Sequence, residues 1–159
     1  MTDSSGHPSL EDLSAWQRAL APHAFNHTWT LLDAPSLTRE QEEEMLSSAF
    51  AQRYHWYSVG EPRNWAIADW QVSRVAAVLG YAELAARFGE RSLEIAVEHA
   101  LDPFVKGFAH EAIARAAAEV DDIETFTDHL EQAKAFLSEI EDPEERETLE
   151  ADLAEMSEG

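Results

Sequence analysis

Cysteine is absent from the chain. That excludes a disulfide framework, a thiolate zinc site and a thiol nucleophile together. Basic residues are scarce: eleven lysines and arginines stand against 32 aspartates and glutamates, a formal charge of −21. Such a surface repels the phosphate backbone of nucleic acid and the anionic face of a membrane, so neither is expected as a partner. No run approaches the roughly 20 apolar residues of a membrane-spanning helix. Met1 to Gly6 lack the basic-then-apolar pattern of a secretory leader, so a cytoplasmic location is the expectation. There is no Asn-Gly or Asp-Gly hairpin turn, no period-2 strand and no glycine-rich phosphate loop. A G-x-S-x-G nucleophile elbow and an HExxH metal motif are missing as well.

What remains reads as helix. At 159 residues the chain is the size of one domain and can bury roughly two-thirds of its unfolded surface. Pro8, Pro22, Pro35, Pro62, Pro103 and Pro143 fall at or near the starts of helical patterns, where the missing N–H costs nothing. Residues 1–8 are expected to be disordered and 9–157 to form the domain. A first helix starts after Ser9, with Asp12 completing a capping box and Leu10, Leu13, Trp16 and Leu20 as its core stripe. Pro22 restarts it as a second segment, with Phe25, Trp29 and Leu32 inward. Thr38 and Gln41 open a helix to about Val59, stopped at Gly60-Glu61-Pro62. The helix from about Arg63 to Leu79 is apolar nearly all round, which places it in the middle of the fold.

A helix from about Tyr81 to Ala100 follows, carrying Leu84, Phe88, Ile95 and His99 on one stripe and interrupted by Gly89. Asp102-Pro103 caps the next, whose alanine-rich face (Ala109, Ala112, Ala116) invites close packing. After the turn at Asp121-Asp122 comes a stripe of Ile123, Phe126, Leu130, Ala133 and Leu137. Asp142-Pro143 caps a last helix with Leu149, Leu153 and Met156 inward and Glu147, Glu150 and Asp152 facing water. About seven helices are expected. The turns at Gly80-Tyr81 and Asp121-Asp122 lie about 40 residues apart, a period that suggests a stack of helical hairpins.

Two stretches carry a resemblance. Leu79-Gly80-Tyr81-Ala82-Glu83-Leu84-Ala85, ahead of Ser92-Leu93, resembles the turn and second helix of a tetratricopeptide repeat. Ala112-Ile113-Ala114-Arg115-Ala116 before Asp121-Asp122-Ile123 resembles a degenerate second one, with Asp121 where the repeat usually turns on glycine. Longer stretches are similar to a family of uncharacterised, tetratricopeptide-like bacterial proteins common in actinobacteria. They include Asn26 to Asp33, Arg53 to Trp56, Gly60 to Asn64, Asp69 to Arg74 and Phe108 to Ala112. This resemblance spans roughly residues 24 to 155. It implies an all-α, right-handed stack of antiparallel hairpins and carries no activity with it.

The central helices bear polar groups beside aromatics. Asn26 and Trp29 lie three apart on one helix face, and His55 and Trp56 sit near the end of the second long helix. Trp70, Gln71 and Arg74 share a face of the third. His110 and Glu111 sit early in the fifth, with Arg115 one turn after Glu111. If these side chains converge, aromatic walls with a few polar groups make a small-molecule site. They equally fit a core and a satisfied polar network. An arginine on an apolar helix needs a partner, and Glu111, Asp69 or an anionic ligand are the candidates for Arg74. His23 and His27 have the i, i+4 spacing of a helical metal pair that His55 and His110 could join, but zinc needs three or four ligands with supporting partners and no dense His/Asp cluster is present, so no metal and no cofactor are expected.

Three functions stay open. The first is a non-enzymatic binding or scaffold protein whose groove takes a protein or peptide segment or a small polar ligand. The second is an enzyme using His55, Arg74, His110 and Glu111. The third is a structural module that self-associates into a homo-oligomer through apolar faces.

Overall fold

The computed structural model describes every residue except Met1 and Asp3. Among the described residues the chain forms seven α-helices and no strand: α1 Leu10–Leu32, α2 Arg39–Val59, α3 Pro62–Val78, α4 Ala82–Glu98, α5 Pro103–Ala118, α6 Ile123–Phe136 and α7 Pro143–Glu158. Within the expected disordered segment 1–8, Met1 and Asp3 lie outside the described residues, and Thr2 and Pro8 form an isolated antiparallel bridge. No described helix is long and apolar enough to cross a membrane.

The helix starts follow local chemistry. Ser9 Oγ accepts from the Asp12 N–H at 3.1 Å while the Asp12 carboxylate accepts from the Ser9 N–H at 3.2 Å. The hydrogen bonds from Ser9 hold the Asp12 carboxyl below its ordinary pKa. Thr38 and Gln41 repeat the capping box on α2. Asp102, Asp122 and Asp142 each accept a backbone N–H at the start of α5, α6 and α7.

The hairpin turns share one closure. Tyr81 N–H donates to the Ala76 carbonyl at 2.8 Å, Leu101 N–H to Ala96 at 2.9 Å, and Asp122 N–H to Ala117 at 3.0 Å. Each is the six-to-one bond of a Schellman turn, which needs a left-handed residue just before the donor. Gly80 (φ 80°), Ala100 (φ 48°) and Asp121 (φ 55°) supply it. Only the first has the residue type that adopts this conformation freely.

The helices pack as successive pairs, α1 with α2, α3 with α4, and α5 with α6, and α7 folds back onto α5 and α6. The backbones of α1, α3 and α5 also approach one another in that order. Helix α3 lies between them, and ten of its residues, from Ala66 to Ala77, are buried. Gly89 does not interrupt α4. A Cβ there would lie 3.3 Å from the backbone of Ala112 and Ile113 and 3.3 Å from Ser73 Oγ, so its absence lets α4 press against α5 and α3.

Several expectations are corrected. α1 is one helix through Pro22, not two segments. The carbonyl of Arg18, which loses its donor there, sits on an exposed residue where water can reach it. Leu10, Leu13, Trp16 and Leu20 are not a core stripe: they are 84%, 43%, 63% and 39% exposed. Their periodicity is genuine, but this stripe faces solvent, while Asp12, Ser14 and Gln17 between its members are half-buried. Val78, His99 and Ile123 are likewise exposed. The inward face of α7 is as expected, with Leu149 and Leu153 buried against a core that includes Trp70, Phe108 and Leu130.

Candidate functional site

A cleft of about 550 Å³ opens between α1, α3, α4, α5 and α7. Its walls are set by residues one helical turn apart. From α1 and its C-cap come Phe25, Trp29 and Asp33, from α3 Ile67, Trp70 and Arg74, from α5 Phe104 and Phe108, and from α7 Thr148 and Asp152. Ala66, Ser92 and Val105 complete the lining. The rings touch one another: Trp29 lies 5.7 Å from Trp70, Trp70 lies 5.2 Å from Phe108, and Phe108 lies 4.9 Å from Phe104. One turn past the Trp29–Trp70 contact, α1 and α3 present Asp33 and Arg74. One end of the cleft is therefore aromatic and the other charged.

The charged end is built on Glu111, which is fully buried. Its Oε2 accepts from Trp70 Nε1 at 2.9 Å and its Oε1 from Arg115 Nε at 2.8 Å. Arg74 Nη1 lies 3.6 Å from Glu111 Oε1 and 3.7 Å from Asp152 Oδ2. Both separations are ion pairs but too long for a hydrogen bond. Nη1 is sealed from solvent with no hydrogen-bond partner. Burial first, and then the neighbouring Glu111 carboxylate, hold the Asp152 carboxyl above its ordinary pKa.

The nine expected site residues do not all converge. Trp29, Trp70 and Arg74 line the cleft, and Glu111 anchors its charged end. Trp56 borders a separate crevice of about 80 Å³ with Phe25, Asn64 and Ile67, two of which also line the main cleft. Gln71 is fully buried and ties α3 to α1 by donating to the Phe25 carbonyl at 3.0 Å. Asn26 is exposed on another face of α1. His55 is half-buried beside Tyr54, its Nδ1 sealed without a partner. His110 lies in the α5–α6 seam, its Nδ1 2.9 Å from that of His129 and its ring stacked on Phe136. Burial and then His129 push its pKa down to about 4.

Two partner assignments also change. Asp69 does not face Arg74. It is buried on another side of α3, hydrogen-bonded to Arg53 and Tyr57. Burial raises its pKa, and burial with the Asp69 contact pushes Tyr57 up to about 12. Asp152, expected to face water, instead lines the cleft. The signal for it was Thr148–Asp152, an i, i+4 pair beside the buried Leu149 and Leu153. It could be read only by knowing that α7 lies over α5.

The lining contains no histidine. Its hydroxyls are tied down: Ser92 Oγ donates to the Ala66 carbonyl at 2.8 Å and Thr148 Oγ1 to the Glu144 carbonyl at 2.8 Å. His27 pairs with Glu44 at 2.8 Å. Among the described residues no three His, Asp or Glu side chains are grouped to hold a metal ion. Neither a protein-family model, nor a curated protein, nor a solved structure matches this chain.

Proposed function

We propose that this chain is a binding protein rather than an enzyme. Its hairpins form a right-handed, tetratricopeptide-like stack whose cleft encloses one small organic molecule. The observation that carries this reading is the aromatic cleft. Its volume of about 550 Å³ lies within the range of small-molecule sites, and Trp29, Trp70, Phe104 and Phe108 give it apolar walls. A core without a ligand role closes on itself, because an apolar void forfeits contacts on every wall. Walls from five helices favour an enclosed molecule over a peptide lying along an open groove. The tied hydroxyls and the placement of His55 and His110 outside the cleft argue against hydroxyl-nucleophile or histidine-dependent chemistry there.

The test fills the cleft from within. Ile67→Trp adds bulk at a half-buried wall position, exchanging one apolar side chain at the edge of the Ala66–Ile95–Val105 cluster for a larger one. Aromatic fragments screened by ligand-observed NMR should bind the native chain at millimolar levels and should not bind the variant, whose circular dichroism should be unchanged. Fragments that ignore the native chain, or bind both proteins alike, would overturn the reading.

A further inference from the structure

We infer that the ligand is an organic cation, a protonated or quaternary amine on an apolar body, with its charged end beside Asp33 and Asp152 and its body against Phe25, Trp29 and Phe104. The inference rests on the reading of the cleft as a ligand site.

The charge balance is the first argument. The groups at the polar end are Arg74 and Arg115 on one side and Glu111, Asp152 and Asp33 on the other. Arg74 is already faced by two carboxylates, and Arg115 is bonded to Glu111. Asp33 takes part in no ion pair among the described residues and is exposed at the mouth. One negative charge is left over.

Helix α1 adds to it. Asp33 is the C-cap of that helix, so the partial negative charge of its last carbonyls falls at the same place. The net charge of −21 deepens the negative potential across the molecule.

An anion fares badly here. It would have to pass Asp33 and settle beside Asp152, and the one arginine in the lining, Arg74, is already faced by Glu111 and Asp152. A cation meets two carboxylates and a lining of aromatic rings, whose quadrupoles attract positive charge at their faces. Ordering along the helices fits an amphipathic guest. Phe25 and Trp29 precede Asp33 on α1, so the apolar body and the charged head find matching surfaces about one turn apart.

Three probes of similar size and different charge separate the outcomes: benzylammonium, benzyl alcohol and benzoate. Each is titrated into the full chain at pH 7 and low salt, with tryptophan fluorescence and ligand-observed NMR as readouts. Benzylammonium should bind about ten-fold more tightly than benzyl alcohol, and benzoate more weakly than either. Asp33→Asn should lower the affinity for benzylammonium several-fold and leave that for benzyl alcohol unchanged. Added sodium chloride should weaken only the cation.

Benzoate binding as tightly as benzylammonium, no effect of Asp33→Asn, or no binding of any probe to the native chain would each overturn the cation assignment. If the probes bind the native chain without regard to charge and are lost from Ile67→Trp, the cation assignment falls and the cleft reading stands. If Ile67→Trp binds all three as the native chain does, the cleft reading falls with it.

Discussion

Glu111 is the residue on which the charged end of the cleft depends. It is fully buried and serves Trp70, Arg115 and Arg74 together. Truncating it leaves the Trp70 indole N–H and the Arg115 guanidinium without their acceptor and takes from Arg74 one of its two facing carboxylates, and removing one partner from a buried network costs roughly 3–5 kcal/mol. Removing Arg74 is different. Glu111 keeps Trp70 and Arg115, and only Asp152 loses its counter-charge. Glu111→Ala should therefore destabilise by about 3–5 kcal/mol and Arg74→Met by about 1–2 kcal/mol, read as urea midpoints at constant slope. The reverse order would mean that Arg74, not Glu111, holds the cluster together. A second prediction lies at Asp121, which has φ 55° where the equivalent turn after α3 has Gly80 at φ 80°. Glycine has no Cβ penalty in that region, so Asp121→Gly should stabilise by about 0.5–1 kcal/mol. A lower midpoint would show that the aspartate does something the turn geometry does not require.

At the scale of helices, α7 is both a cap and a wall. Leu149 and Leu153 are buried against α5 and α6, while Thr148 and Asp152 line the cleft. Ending the chain at Ile140 removes two large buried side chains, each worth roughly 2–5 kcal/mol, and one side of the site. The truncated protein should melt many degrees lower in a calorimeter and bind none of the aromatic fragments. An unchanged transition would mean that α7 is not docked in solution.

The α5–α6 seam carries its own pH response. His110 has a pKa pushed down to about 4 from 6.5, so the folded state binds fewer protons than the unfolded state between those values. Stability from this seam is then complete above about pH 6.5 and is lost as pH falls toward 4, by up to about 3 kcal/mol. The groups facing His110 are His129, Asp128 and the Phe136 ring. Asp69 and Asp152, whose pKa values are raised, act with the opposite sign, gaining stability on protonation. The comparison must therefore be between proteins. His110→Phe should lose less stability than the native chain between pH 6.5 and 4, and equal slopes would refute the assignment.

Helices and their caps were legible because capping boxes, Asp-Pro starts and apolar periodicity are local. Whether an apolar stripe is covered is not local. Leu10, Leu13, Trp16 and Leu20 have the same spacing as a buried stripe and yet face outward, because another side of α1 is the one that packs. The cleft was half-legible for the same reason. Trp29, Trp70, Arg74 and Glu111 were marked by the expense of burying charge beside aromatics. Asp33 and Asp152 were not, because both look like ordinary acidic surface until α1 and α7 are set on either side of α3 and α5.

Over the whole molecule, one electrostatic field acts on folding and on binding with opposite consequences. The exposed carboxylates are concentrated at the start of α2 (Glu40, Glu42, Glu43, Glu44) and along the outer face of α7 (Glu144, Glu147, Glu150). Like charges held close on a compact surface repel more than they do on an extended chain, so a net −21 opposes folding. Salt reduces this repulsion: the screening length falls from about 30 Å at 0.01 M to about 3 Å at 1 M. The few surface ion pairs, such as Arg39 with Glu43, contribute too little to reverse the sign. The Glu111 cluster is buried, where salt penetrates poorly. Sodium chloride raised across that range should therefore increase the melting temperature by several degrees, while weakening any cation in the cleft, which that field draws in. A melting temperature that falls with salt would mean that surface ion pairs outweigh the net repulsion. A cation affinity that rose with salt would mean that apolar contact alone holds the ligand, and that Asp33 and Asp152 play no part in its attraction.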